Sequence, residues 1–163
     1  MVLERRKVTP LDIEEVHPII TEIWQEVYTP IIGEQQVAYM LENYQGIETI
    51  LQEMAEGTQY YMLFSDGHCV GYTAYEIKKD HLYLSKIYIH QDYRGQGLMR
   101  EVFDWYDQLS QELCLNQRLR VNQNNKQAIA VYQHRDFQLI KEDIADIGQG
   151  FLMVDYLFEK NYC

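Results

Sequence analysis

The sequence is short of positive charge. Its 163 residues include 14 lysines and arginines against 25 aspartates and glutamates, which gives a formal net charge of −11. Such a chain is repelled by phosphate backbones and anionic headgroups, so we expect neither nucleic acid nor a membrane surface as a partner. Cationic small molecules or basic peptides suit this charge better. The alternative is that the negative surface only keeps the protein in solution.

Long apolar runs and metal-binding patterns are also missing. No stretch of about 18 apolar residues occurs, and the opening MVLERRKVTPLDIEEV has no apolar signal core, so we expect a cytoplasmic protein. The three cysteines, Cys69, Cys114 and Cys163, and the five histidines follow no metal-ligand spacing. We therefore expect no metal site.

Two common nucleotide-binding motifs are absent. There is no GxxxxGK[ST], and no GxGxxG with an acidic residue about twenty positions later, which disfavours a P-loop or a dinucleotide-binding fold. No linker, low-complexity tract or internal repeat interrupts the chain. These absences predict one domain over residues 1–163.

The first third of the chain has helical patterns. Apolar residues recur at helical spacing in VTPLDIEEVHPIITEIWQEVY, although Pro18 should kink or divide this helix. EQQVAYMLENY and GIETILQEMAEG predict two more short helices. The next segments, TQYYMLFS, HCVGYTAYEI and HLYLSKIYI, are rich in aromatic and β-branched residues and predict an antiparallel meander.

Helices and strands alternate after Gly97. Apolar residues from Leu98 to Leu113 follow helical spacing, QRLRVN predicts a strand, and NNKQAIAVYQHR a second helix. FQLIKEDIAD and GFLMVDYLFEK predict a final strand pair. The order implies a mixed α/β (α+β) fold, whose sheet begins antiparallel and gains a parallel pair after the meander, with flanking helices.

The stretch HQDYRGQG lies between the last strand of the meander and the following helix. The first N–H groups of a helix are unpaired and electropositive, and the bare backbone of Gly95 and Gly97 lets an anion approach them. Arg94 adds a positive charge. A phosphate group is the expected ligand, and the alternative is a turn that merely needs positive φ angles.

These residues belong to a longer pattern. LSKIYIHQDYRGQGL followed by RLRVNQNNKQAIAVYQHRDF resembles the two central motifs of the GCN5-related N-acetyltransferase (GNAT) family, and the resemblance runs from about Tyr60 onward. It implies the acyl-CoA N-acyltransferase fold, with acetyl-CoA as co-substrate. In that family the R/Q-x-x-G-x-G/A loop holds the CoA diphosphate. Its positions fall on Arg94, Gly95, Gln96, Gly97, Leu98 and Met99, of which Met99 departs from the small residue of the pattern.

The second motif adds further residues. Asn125, Ala128, Tyr132 and Phe137 match the family's positions, and Asp136 replaces its glycine. The resemblance implies that Asn125 contacts the CoA arm and that Tyr132 lies near the thioester sulfur. It also implies a splayed strand whose backbone N–H groups bind the acetyl and pantetheine groups. These would be the N–H groups of Ile87, Tyr88 and Ile89.

Acetyl transfer to an amine needs a neutral nitrogen, a polarised carbonyl and a proton for the departing thiolate. Tyr132, with an ordinary pKa near 10, could supply that proton. For the base we consider Glu76, which we take as the catalytic candidate, and also Glu26 and Glu34. Water or backbone groups could replace a dedicated base.

The sequence specifies the acceptor of the acetyl group less closely than it specifies the cofactor. Aromatic rings attract alkylammonium groups, and a wall for the acceptor could be formed by Trp24, Tyr28, Tyr39 and Tyr61, unless these rings belong to the core. These aromatic residues, the acidic charge of the chain and a weaker resemblance to bacterial polyamine or diamine acetyltransferases together favour a small cationic amine as the acceptor. The alternatives are a protein or peptide acceptor and a non-catalytic, CoA-binding regulatory module. An open groove between the first helices and the last hairpin would favour a protein acceptor. A homodimer through the late strands is possible.

Overall fold

The computed structural model of the protein describes residues 3–162. Residues 1, 2 and 163, and with them Cys163, lie outside this range. The helices are α1 (Ile13–Ile32), α2 (Glu34–Asn43), α3 (Ile47–Ala55), α4 (Leu98–Leu113) and α5 (Lys126–His134). The strands are β1 (Leu3–Lys7), β2 (Gln59–Ser65), β3 (His68–Ile77), β4 (His81–Ile89), β5 (Asn116–Asn122), β6 (Gln138–Gly148) and β7 (Phe151–Lys160).

The strands form one mixed sheet. Its order is β1-β2-β3-β4-β5-β7-β6, with seven strands, and all neighbours are antiparallel except β4 and β5. The antiparallel meander is β2-β3-β4, and the parallel pair follows it through the α4 crossover. The predicted fold class is therefore confirmed.

The parallel pair separates halfway along β4. The strands are in register only from His81 opposite Asn116 to Leu84 opposite Leu119, whereas β4 continues along β3 to Ile89. A bulge in β4 lies at this point, because Ala74 pairs with Lys86 and Tyr75 with Leu84. The edge of β4 beyond the bulge consequently has no β5 ladder beside it.

The bulge is encoded in the apolar pattern of β4. Leu82 and Leu84 alternate with polar residues, and after one extra residue the alternation resumes at Ile87 and Ile89. All four side chains belong to the same buried cluster. Without the extra residue, a period of two would turn the second pair to the opposite face.

Each face of the sheet has its own core. One buried cluster includes the α4 residues Leu98, Val102, Phe103 and Tyr106. Each such side chain stabilises the fold by roughly 1.5–3 kcal/mol relative to exposure. The cluster on the opposite face includes residues of α1, α2 and α3. Packing of α4 on β4 fixes the helix N-terminus beside the gap between β4 and β5.

The opening of the chain contains a proline within its first helix and a strand that the sequence pattern did not indicate. Pro18 does not divide α1, which runs unbroken from Ile13 to Ile32. Its apolar residues Ile13, Ile20 and Trp24 are all buried, and this packing outweighs the loss of one backbone hydrogen bond. The strand β1, with the largely charged sequence LERRK, was not predicted. Among residues 3–162, no helix is both long and apolar enough to cross a membrane.

Candidate active site

A cavity of about 700 Å³ occupies the gap between the parted strands. The ends of β4 and β5 form its sides, and the first residues of α4 and α5 form its floor on one face of the sheet. The second half of α1 closes it on the other face. Its lining includes the predicted residues Tyr28, Ile87, Tyr88, Ile89, Arg94, Gly95, Gly97, Leu98, Met99, Asn125 and Tyr132. Gln96 is outside this lining.

The loop before α4 presents unpaired backbone donors. Gly95 and Gly97 have φ angles of 79° and 81°, and an added Cβ atom at either would meet open space. Within residues 3–162, no protein acceptor is found for the N–H groups from Gly95 to Met99. Positive φ angles explain both glycines, and the open space lets an anion reach the donors.

Met99 fits this arrangement. It is the second residue of α4 and its φ angle is not positive, so the conformation there does not require a small residue. Its side chain lines the cavity and packs on the core cluster of that face. The departure from the family pattern thus leaves the start of α4 intact.

Arg94 is held by two fixed acceptors. Its Nε–H donates to the Ile89 carbonyl at 2.9 Å, and its Nη2 donates to both carboxylate oxygens of Glu26, at 2.8 and 3.0 Å. Glu26 Oε1 also accepts the backbone N–H of Gln91 at 2.8 Å. The loop is therefore tied to α1 across 68 residues of sequence.

Tyr132 lies on α5 at the cavity wall. It is 8% exposed and packs against the rings of Phe103, Phe137 and Phe158. Burial raises the pKa of Tyr132 above its ordinary value near 10. The hydroxyl consequently keeps its proton at neutral pH, as an acid for a leaving thiolate must.

Asn125 begins α5. Its side-chain oxygen accepts the N–H of Ala128 at 3.3 Å, which is a helix N-cap, and the residue also lines the cavity. The cap orients the first turn of α5, and both the start of this helix and Tyr132 border the cavity.

Tyr28 is the member of the predicted aromatic wall that lines the cavity. Its hydroxyl lies 2.8 Å from that of Tyr88, and the two rings meet edge to face with centroids 5.7 Å apart. Burial raises the pKa of Tyr28 to about 12, although the hydrogen bond with Tyr88 opposes this shift. The pair is an uncharged hydrogen-bonded unit on the α1 side of the cavity.

The other three aromatic residues lie elsewhere. Trp24 is 2% exposed in the α1 core, and Tyr61 packs on Tyr75 and Trp105 in the core of the α4 face. Tyr39 donates to the Ile147 carbonyl at 2.6 Å and joins α2 to the β6–β7 hairpin. None of the three lines the cavity, because each is taken up by packing or by a contact between elements.

Of the three carboxylates considered as the base, only Glu26 lines the cavity. Both of its oxygens accept bonds from Arg94, so taking a proton from an incoming amine would disrupt this ion pair. Glu34 is exposed at the start of α2. Glu76, taken as the catalytic candidate, forms an ion pair with Lys78 at 2.9 Å and lies outside the lining. The positions of Glu34 and Glu76 therefore do not suit a base.

Sequence reasoning missed two cations of the lining, Arg120 and Lys126. Together with Arg94 they face the carboxylate of Glu26, although the whole chain carries a charge of −11. Arg120 pairs with Asp143 on β6, whereas no ion pair of Lys126 is found within residues 3–162. The position of Lys126 in the first turn of α5 was the available signal.

A partly buried carboxylate, Asp155 on β7, lies beside this region. It is opposite Asn122 in the register of β5 and β7. Burial raises the pKa of Asp155, and the charge of Arg120 opposes the shift. Its negative charge also contributes to the raised pKa of Tyr28, after burial. Over residues 3–162, no cluster of three or more His, Cys, Asp or Glu side chains could hold a metal ion.

The sequence model of the acetyltransferase (GNAT) family matches residues 17–137. The match spans well over half of the chain and includes both the loop before α4 and Tyr132. The chain belongs to this family, and is accordingly an acetyl-CoA-dependent acyltransferase. No curated protein matches it by sequence.

Solved structures share its fold over nearly the whole chain. The PaiA N-acetyltransferase from Thermoplasma acidophilum, in complex with coenzyme A, has a TM-score of 0.78 at 19% identity, covering 99% of this chain and 100% of its own. A GCN5-related N-acetyltransferase from Rhodopseudomonas palustris has a TM-score of 0.77 at 16% identity, with 99% of both chains covered. The ribosomal-protein-S18-alanine N-acetyltransferase from Escherichia coli has a TM-score of 0.70 at 16% identity, covering 97% of this chain and 92% of its own.

Proposed function

We propose that the protein transfers the acetyl group of acetyl-CoA to the primary amine of a small cationic molecule, with a polyamine or diamine as the best candidate. Transfer occurs by direct attack within a ternary complex. The observation that supports a small acceptor is that the space between α2 and the β6–β7 hairpin is closed by direct contacts. Tyr39 and Tyr44 both donate to the Ile147 carbonyl, at 2.6 and 2.9 Å, and Gln36 donates to the Leu152 carbonyl at 3.1 Å. An open groove for a protein substrate would need this edge to be free.

The cavity suits acetyl-CoA in shape and charge. The unpaired N–H groups from Gly95 to Met99 would hold the diphosphate at the electropositive start of α4. The free edge of β4 from Ile87 to Ile89 would bond the amides of the pantetheine arm, with Asn125 on the opposite side. Lys126 adds positive charge beside the α5 N-terminus. The similarity to a PaiA N-acetyltransferase crystallised with coenzyme A supports the same assignment.

Tyr132 would act as the general acid. As the acceptor nitrogen forms its bond to the carbonyl carbon and the carbon–sulfur bond breaks, the Tyr132 hydroxyl donates its proton to the departing sulfur. Burial keeps this hydroxyl protonated beforehand, and the same apolar surroundings disfavour a free thiolate. The tyrosine recovers a proton from the acetylated ammonium through solvent.

Recognition of the acceptor falls to the α1 side of the cavity. The ring of Tyr28 would contact the alkylammonium group, and Asp155 would supply a carboxylate for its distal charge. We assign no dedicated base, because within residues 3–162 the carboxylate that lines the cavity is that of Glu26, which is bonded to Arg94. Water would accept the proton of the incoming amine. The overall charge of −11 raises the local concentration of cations.

A screen of acceptors tests this proposal. The protein would be incubated with acetyl-CoA and pooled amines, and acetylated products identified by mass spectrometry. We expect turnover of polyamines or diamines that exceeds turnover of neutral amines and of peptides. Binding of acetyl-CoA without acetylation of any amine would instead support the non-catalytic regulatory module.

A protein or peptide acceptor is the second candidate. It is favoured by the similarity to the ribosomal-protein-S18-alanine N-acetyltransferase, which covers 97% of this chain. A peptide array with free N-termini and lysines, run beside the amine pool, separates the two candidates. Faster turnover of any peptide than of the best polyamine would reject the small acceptor.

We infer further that the chain acts as one cytoplasmic domain and forms a homodimer through β6. That strand is at the edge of the sheet, and Leu139, Ile140 and Ile144 are 55%, 47% and 67% exposed. An exposed apolar edge strand can pair with a second copy. Light scattering should give twice the chain mass, and Leu139→Lys with Ile144→Lys should give the monomer. A wild-type monomer at high concentration would rule the dimer out.

A further inference from the structure

The Glu26 carboxylate joins three elements near the cofactor loop. It accepts two bonds from Arg94 and one from the backbone N–H of Gln91, and its side chain is only 12% exposed. Arg94 is bonded in turn to the Ile89 carbonyl at the end of β4. Glu26 thereby fixes α1, the end of β4 and the loop before α4 relative to one another.

This network changes what Arg94 can offer a diphosphate. Its Nε–H and its Nη2 are directed to protein acceptors, and the charge of the guanidinium is balanced by the carboxylate in contact with it. The guanidinium bonds Glu26 through Nη2 and Ile89 through Nε at the same time, so its planar group is held in one orientation. The neighbouring N–H groups from Gly95 to Met99, by contrast, have no protein acceptor within residues 3–162.

We propose that Glu26 is a positioning residue for acetyl-CoA binding, and that Arg94 acts through it. The ion pair holds the loop in the conformation in which the main-chain N–H groups converge on the diphosphate. The diphosphate is held chiefly by those groups, with little contribution from the arginine charge. This inference rests on the proposed binding of the diphosphate at the loop, and it gives Glu26 a role other than that of a base.

Two predictions distinguish this proposal from the alternative, in which the Arg94 charge binds the diphosphate directly. Glu26→Gln keeps the size of the side chain but breaks the ion pair, so it should weaken acetyl-CoA binding about tenfold. If the guanidinium bound the diphosphate directly, removal of the adjacent negative charge would tighten binding instead. Arg94→Lys keeps the positive charge but cannot form the paired bonds, so it should weaken binding as much as Arg94→Gln does.

Calorimetric titration with acetyl-CoA measures these effects on the folded protein. Thermal unfolding of each variant checks its fold. Glu15→Gln is the matched control, because Glu15 is an exposed acid on the same helix and lies outside the cavity lining. We expect the control to bind as the wild type does. In steady-state kinetics the loss in Glu26→Gln should fall on KM for acetyl-CoA more than on kcat, as expected of a residue that positions the cofactor loop and touches no reacting atom.

A double-mutant cycle completes the test. If the two residues act as one unit, Glu26→Gln combined with Arg94→Gln should bind acetyl-CoA no more weakly than the worse single variant. Unchanged or tighter binding by Glu26→Gln, additive losses in the double variant, or Arg94→Lys binding like wild type would each overturn the proposal. Should Glu26→Gln fail to fold, the comparison of Arg94→Lys with Arg94→Gln decides alone. Absence of binding by the wild type would refute the loop assignment itself, which is a separate result.

Discussion

The hydroxyl groups of Tyr28 and Tyr88 are in hydrogen-bond contact at 2.8 Å, and this contact joins α1 to β4 beyond the point where β4 leaves β5. The α1 helix therefore touches the parted strand at Tyr88 and the loop before α4 at Arg94. Residues two positions apart on one helix, Glu26 and Tyr28, thus border the two halves of the same cavity. The proposed donor and acceptor sites share α1 as a wall.

Removal of the Tyr28 ring should affect the amine and not the cofactor. We expect Tyr28→Leu to raise KM for the amine about tenfold, because a ring face in contact with an ammonium group is lost. Tyr28→Phe keeps the ring and should have a smaller effect. Steady-state kinetics and acetyl-CoA titrations give the two quantities separately. Tyr61→Leu is the control in the other core, and an equal rise in KM for it would discredit the assigned role of Tyr28.

Loss of the Tyr132 hydroxyl should slow the chemical step. Tyr132→Phe is expected to lower kcat about 100-fold with acetyl-CoA affinity within about twofold, because the ring packing is kept and only the acid is lost. Since burial raises the pKa of Tyr132 above 10, its ionisation should cause no fall in wild-type kcat between about pH 7 and about pH 10. A pH profile of kcat checks this expectation. Equal rates for the variant and the wild type at every pH would exclude Tyr132 as the acid.

The fold, and the residues that line the proposed cofactor half of the cavity, could be predicted from the sequence. Period-two and helical patterns are local, and they located β2 to β7 as well as α4 and α5. Gly95, Gly97 and Tyr132 stand in short motifs whose spacing carries the signal. The strand β1 has a largely charged sequence, LERRK, without an apolar alternation, so no local pattern indicated it.

Contacts between distant segments could not be predicted in the same way. Glu26 and Arg94 are separated by 68 residues, and nothing near Glu26 distinguishes it from an exposed acid. The same limit applies to Trp24 and Tyr61, whose rings are apolar enough for either a core or a binding wall. Their burial depends on which helices pack on each face of the sheet. That arrangement is set by the whole chain and not by the residues near Trp24 or Tyr61.

Asp107 on α4 should support stability in a pH-dependent way. It forms ion pairs with Arg135 at 2.8 Å and with Lys160 at 3.3 Å, and it accepts a hydrogen bond from Tyr162. Burial alone would raise the pKa of Asp107, but the bond from Tyr162 and the two cations outweigh it and lower the pKa. A carboxyl whose pKa is lower in the folded than in the unfolded state stabilises the fold above its unfolded pKa. That contribution is lost as the pH falls through the folded pKa.

We therefore expect Asp107→Asn to lower the free energy of unfolding at neutral pH by roughly 1–2 kcal/mol, after allowance for solvent screening. The difference from wild type should shrink below about pH 4, where the wild-type carboxyl takes up a proton. Urea denaturation at several pH values measures it. A difference that stays constant down to the acid limit would contradict the charge-based explanation.

Asp136 occupies a position that suits glycine. Its φ angle is 71°, just past the end of α5, and the next N–H, of Phe137, bonds to the Tyr132 carbonyl at 3.0 Å. Asp136→Gly should raise the free energy of unfolding by about 0.5–1 kcal/mol, because the left-handed conformation is strained for a residue with a Cβ atom. Asp136→Asn should give a smaller gain. Denaturation midpoints test this, and a less stable glycine variant would refute it.

Binding of acetyl-CoA at the parted strands underlies every role assigned here. The most direct measurement is a calorimetric titration of the folded wild-type protein with acetyl-CoA. We predict a saturable, stoichiometric heat of binding. The affinity should fall as the salt concentration increases, since anionic phosphates meet an electropositive helix start. Absence of any binding heat from folded protein, at cofactor concentrations well above the millimolar range, would contradict the account.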